Sequence, residues 1–150
     1  MKRNLFRRNK FNIIILIIYI VICILLYYFD FFNSSNKNSE FHLNLLTINS
    51  VFLGFLFTGL GIMVGFTDKK TIKQLNTAGY MDNYYNSIYF GLVLFIISII
   101  LSALGVVIET KYITKLFLTI EQISFVGGIL YFFKSIFGLM KLISFIRKEN

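Results

Sequence analysis

The sequence predicts an all-α, polytopic membrane protein, an antiparallel bundle of four transmembrane helices with its N- and C-termini in the cytoplasm. Composition is the first reason: the 150 residues are 57% hydrophobic and 18% aromatic, with a mean hydropathy of +0.74, values of the membrane class. The second is four apolar runs, Phe11–Phe29, Phe41–Thr67, Asn83–Ile108 and Leu116–Met140. Each approaches or exceeds the roughly 20 residues that match a hydrocarbon core ~30 Å thick. The third is the distribution of basic residues around them. Lys2, Arg3, Arg7, Arg8, Lys10, Lys69, Lys70, Lys73, Lys141, Arg147 and Lys148 flank one side, whereas only Lys37, Lys111 and Lys115 flank the other. The positive-inside rule puts the richer side in the cytoplasm. Helices are expected near 11–30, 41–66, 85–108 and 113–146, making residues 1–150 a single transmembrane domain, because the loops between them are too short for a folded unit outside the membrane.

The first run, from Asn12 to Tyr28, consists almost wholly of large residues. A helix without glycine or a short hydroxyl admits no close neighbour, so it is expected outermost and facing lipid, with Tyr27 and Tyr28 at the headgroups. It begins like a signal peptide but is too long and lacks a small-residue cleavage site, and it reads as a retained anchor. Cys23, the one cysteine, reads as a small apolar packing residue. A polar turn over Asp30–Glu40 leads to the second run, with Ser39 the expected N-cap.

In the second run Thr47, Ser50, Gly54, Thr58, Gly61 and Gly65 recur at helical spacing along one face. Lipid gives helices no hydrophobic reason to associate, so close packing at small residues must do it. The third run repeats the device with Gly91, Ser98, Ser102 and Gly105, and the two stripes are expected to face each other as a packing seam within one subunit; a subunit–subunit seam and a small-residue pore lining are the other readings of the stripe on the second run. Between them, Asp68–Leu75 is expected as two helical turns lying on the membrane, with Ile72 and Leu75 towards acyl chains. Tyr84, Tyr85 and Tyr89 are expected as an inner aromatic belt. The 67–86 segment is the longest in the cytoplasm and the expected contact for a cytosolic protein partner.

The fourth run carries Glu121, Ser124 and Gly128 on one face, read either as an interfacial carboxylate reaching water or as a polar path for protons or cations. Lys134, Lys141 and Lys148, seven residues apart, form a stripe expected to reach inner-leaflet phosphates. The formal charge of +8 is accounted for by topology and anionic lipid, so no nucleic-acid partner is expected. His42, the sole histidine, reads as a polar interfacial residue. No catalytic triad, phosphate loop, cofactor motif or metal cluster is present in the sequence, and no enzyme, cofactor or metal is expected. The composition, free of Pro and Trp and rich in Ile, Phe, Asn, Lys and Tyr, points to an AT-rich bacterial genome and hence to the bacterial cytoplasmic membrane.

With four spans, both termini inside, short outer loops and the stretch Val51-Phe52-Leu53-Gly54-Phe55-Leu56-Phe57-Thr58-Gly59-Leu60-Gly61, the build resembles the small four-helix membrane subunits of bacterial anti-phage operons, such as the membrane component of Kiwa-type systems. That resemblance implies a membrane sensor or effector that oligomerises, perturbs the bilayer or signals to a cytosolic partner. Bacteriocin-immunity proteins, holins and small transport accessory subunits share the same build and form the alternative.

Overall fold

The computed structural model describes residues 5–29, 38–66, 70–77, 81–108 and 114–149. Among these there are five helices and no strand: α1 Leu5–Tyr28, α2 Ser39–Gly65, α3 Lys70–Thr77, α4 Met81–Val107 and α5 Lys115–Glu149. Helices α2, α4 and α5 are long and apolar enough to cross a membrane, whereas the apolar part of α1 is the shorter stretch Asn12–Leu25. The N-cap of α2 is Asn38, one residue before the expected Ser39; its side-chain oxygen accepts from the Phe41 N–H at 3.2 Å, satisfying one of the unpaired donors of the first turn.

Helix α4 is central and packs most extensively against α2 and α5. The three share one periodicity. On α2 the inward residues are His42, Leu45, Asn49, Phe52, Leu56, Gly59 and Met63; on α4 they are Met81, Tyr84, Ile88, Gly91, Phe95, Ser98, Ser102 and Gly105. On α5 they are Glu121, Ser124, Gly128, Tyr131, Ser135, Gly138 and Leu142. Each series alternates steps of three and four, the repeat that keeps one seam of a helix against its neighbours. Contacts pair these series: His42 meets Gly105, Leu56 meets Gly91, and Phe95 meets Gly128. At mid-bundle the Phe52 and Phe95 rings stack at 5.6 Å, and Phe132 presents its edge to Phe52 at 4.7 Å, an arrangement favoured by the aromatic quadrupole.

The packing face of α2 is therefore not the expected one. Gly54, Thr58, Gly61 and Gly65 are exposed, and a Cβ placed on any of the three glycines would meet nothing within 4 Å. The seam of α4 faces instead the stripe that carries Leu56, Gly59 and Met63. Helix α3 also differs from expectation. Ile72 is buried in the bundle core and Leu75 packs against it, as do Tyr84 and Tyr85, so these side chains pack against protein. Of the expected aromatic belt only Tyr89 is exposed. Helix α1 leaves Ile17, Ile18, Ile20, Val21, Ile22, Ile24 and Leu25 exposed and buries Tyr19 and Cys23; the Tyr19 ring lies where a side chain on Gly127 would be.

Candidate functional site

The heptad seams bring a set of polar side chains together at one end of the bundle. His42 lies three residues into α2 and Glu121 six residues into α5, and both are completely buried. His42 Nδ1 is 2.8 Å from Glu121 Oε1, and the Ser102 hydroxyl donates to the same oxygen at 2.7 Å. One turn away on α4, Ser98 Oγ donates to the Glu121 backbone carbonyl at 3.0 Å and accepts from Asn49 Nδ2 at 2.9 Å. The imidazole is held edge-on by Phe41 and Phe117, with centroids 5.5 and 6.3 Å away. Below it the backbone of α4 comes so close that a Cβ on Gly105 would stand 2.5 Å from Nδ1, so the ring occupies space that only glycine leaves open. Isolated buried charges are costly, and pairing plus hydrogen bonding is what makes such a site tolerable. Three atoms of the set, His42 Nε2, Asn49 Oδ1 and Glu121 Oε2, are buried without a hydrogen-bond partner.

A second polar set fastens α1. Asn12, fully buried, uses its side-chain oxygen to accept from Ser87 Oγ at 3.0 Å and from the Lys134 ammonium. Its amide nitrogen donates to the Asn83 carbonyl at 3.3 Å, and its own carbonyl accepts from the Tyr131 hydroxyl at 2.9 Å. Asn86 adds a bond to Asn9 at 2.6 Å. Asn12 thereby joins α1, most of whose large apolar side chains are exposed, to both α4 and α5.

Comparison with protein-family models, with curated proteins and with solved structures gives no match. The reading of this site rests on its own geometry.

The residues singled out in the sequence divide clearly. Gly91, Ser98, Ser102 and Gly105 all face inward, and the last three belong to the His42–Glu121 set. Glu121, Ser124 and Gly128 are buried on one face of α5. Gly54, Thr58, Gly61 and Gly65 take no part in either set and lie on the outer surface of α2. Lys134 is half-buried and bonds to Asn12, while Lys141 is exposed; the side chain of Lys148 lies outside the described residues. Of the 67–86 segment, the described residues are helical and form α3 and the start of α4.

His42 is the main correction: the expected interfacial residue is fully buried and paired with the acid of α5. The sequence signal for His42 and Asn49 is a stripe at steps of three and four with Leu45, Phe52, Leu56, Gly59 and Met63, which competes with the small-residue stripe for the inward face. Among the described residues no three His, Cys, Asp or Glu side chains are grouped as metal ligands. An apolar cavity of about 200 Å³ lies farther along the bundle, lined by Phe55, Gly59, Ile88, Phe132, Ser135 and Leu139 among others, and none of the His42–Glu121 set lines it.

Proposed function

We propose that the chain is a non-enzymatic, multi-pass protein of the bacterial cytoplasmic membrane, an oligomerising sensor or effector that works by changing how its helices associate. In this reading α1, α2, α4 and α5 are four antiparallel spans, both termini are cytoplasmic, and the basic residues of α3 and of the C-terminal part of α5 lie at the anionic inner leaflet. The 67–86 segment then faces the cytoplasm, where a protein partner reaches it.

The observation that carries this reading is the outer face of α2. Gly54, Gly61 and Gly65 have no neighbour within 4 Å of a would-be Cβ, and Thr47, Ser50 and Thr58 continue the same exposed stripe, each with its hydroxyl bonded back to a carbonyl of its own helix. A surface of small residues with satisfied hydroxyls costs little to bring against another helix and permits close backbone approach. Among the described residues nothing packs on it, which supports its use between chains.

The test is cross-linking in native membranes. With Cys23 replaced by serine, Gly61→Cys should form a covalent dimer, and Ile96→Cys, an exposed position on α4, should not; equal yields at both positions refute the interface. Cysteine labelling at Ser35 and Ser144 tests the orientation: reagent confined to the outside should modify position 35 and spare position 144. Induced expression that dissipates the membrane potential supports an effector. Harmless expression supports instead an immunity or accessory role.

A further inference from the structure

The buried acid–base pair is bonded on one side only. Glu121 directs both of its side-chain hydrogen bonds through Oε1, to His42 Nδ1 and Ser102 Oγ, and leaves Oε2 buried without a partner. His42 uses Nδ1 and leaves Nε2 equally bare, and Asn49 Oδ1 is an unused acceptor on the same network. Buried polar atoms are ordinarily satisfied, and three exceptions in one network require an explanation.

Charge balance supplies one. A carboxylate facing a neutral imidazole leaves the pair with a net negative charge, which an apolar bundle opposes. One added proton makes the pair neutral, held either as an imidazolium facing a carboxylate or as a carboxylic acid facing a neutral imidazole. The imidazolium form passes to an acid facing a neutral imidazole when the Nδ1 proton, not the one added at Nε2, crosses the 2.8 Å contact to Oε1. The bare atoms are where a proton arrives or leaves without breaking a hydrogen bond, Nε2 of the ring and Oε2 of the acid.

We propose that His42 and Glu121 together form a proton-binding site inside the bundle, which takes up one hydrogen ion from water and returns it. On uptake a hydronium ion gives its proton to Nε2 or Oε2, a water molecule leaves, and the anionic pair becomes neutral. On release the proton returns to water, and the carboxylate that remains is held by His42 Nδ1–H and Ser102 O–H. The site is close to one end of the bundle: at 1.5 Å per residue His42 lies about 5 Å from the start of α2 and Glu121 about 9 Å from the start of α5. Proton exchange is therefore with the aqueous phase at that end.

The other groups facing the pair do not titrate: Asn49 from α2, Ser98, Ser102 and Gly105 from α4, and Phe117 from α5. Among the described residues, the other titratable side chains at this end of α2 and α5 are Glu40 and Lys115, both exposed, with Lys115 over the Tyr27 ring of α1 at 5.1 Å. Helix α1 buries Tyr19 against Gly127 and also buries Cys23. The site is complete within one chain, so it does not depend on the oligomer proposed above.

His42 is the only histidine in the chain, so its ring nitrogens can be followed without ambiguity. In the full-length protein in lipid nanodiscs, nitrogen NMR of labelled histidine should show both ring signals moving over a wide pH range. Glu121→Gln should displace the midpoint by more than about one pH unit, the coupling above which two groups titrate as a pair. Ser102→Ala keeps both titrating groups and removes one hydrogen bond from Oε1, and should displace the midpoint by less. Ring signals that do not move over that range overturn the proposal, as does an unchanged midpoint in Glu121→Gln. If Glu121→Gln does not fold, an unchanged midpoint in Ser102→Ala overturns it.

Discussion

Replacing Gly105 by alanine adds one methyl group at one of the most constrained points of the bundle. Its carbon would stand 2.5 Å from His42 Nδ1, 2.6 Å from Cγ and 2.8 Å from Cε1, against about 3.5 Å or more for ordinary contact. The ring has to retreat by about 1 Å, and Phe41 and Phe117 flank it. A retreat of that size stretches the 2.8 Å contact with Glu121 beyond hydrogen-bonding range. Overpacking costs about 1–3 kcal/mol, and breaking a buried pair by displacing one partner costs about 3–5 kcal/mol. These overlap, and helix propensity returns up to about 1 kcal/mol, so a net loss of about 2–4 kcal/mol is expected. Gly54→Ala is the control, since nothing lies within 4 Å of its would-be Cβ. Unfolding in mixed micelles, followed by circular dichroism, should show Gly105→Ala well below wild type and Gly54→Ala at or above it. In a His42→Ala background the ring is gone, and Gly105→Ala should become nearly silent. The same penalty in both backgrounds, or none in either, would refute the reasoning.

Gly61→Leu should leave helix content and monomer stability unchanged, because position 61 is exposed, and should abolish self-association measured by single-molecule photobleaching in nanodiscs; an unaltered stoichiometry counts against the α2 interface. Asn12→Ala removes three side-chain hydrogen bonds, each worth about 1 kcal/mol. Hydrogen exchange should then accelerate throughout α1 and stay slow in α4. Glu121→Gln keeps the shape of the side chain and removes its charge. If the face bearing Glu121, Ser124 and Gly128 lines a polar path, ion flux from proteoliposomes should change in size or pH dependence, and identical curves would exclude that role.

The helices were legible because lipid imposes a length requirement that the apolar runs state directly. The orientation of α2 was not. In a soluble helix the apolar face points inward, but a helix in lipid is apolar on every side, and two stripes at helical spacing compete for the inside. Small residues identified one stripe, whereas the stripe with His42, Asn49, Leu56 and Met63 won because it fills the space beside Gly91 and Gly105 of α4. On α4, where small and inward residues coincide at Ser98, Ser102 and Gly105, the same reasoning found the inward side. Glu121 stood out as an acid in an apolar run, but its partner lies 79 positions away, and no local pattern reports a pairing at that distance. Asn12 was hidden for a related reason: one amide at the start of an isoleucine run looks like a boundary, and only the placement of Ser87 and Lys134 beside it makes it an anchor.

The two polar sets also bear on the order in which the chain can be assembled. Helix α5 carries an acid and an amine, Glu121 and Lys134, and on insertion scales each costs roughly 2.5–3.5 kcal/mol at the middle of a solitary helix. Their bonding partners, His42, Ser102 and Asn12, all belong to helices that a ribosome makes earlier. Helix α5 is thus made after the groups that neutralise its burden. Those earlier helices wait with unmatched polar groups until α5 is made, so a chain truncated before α5 should be recognised as incomplete by quality-control proteases.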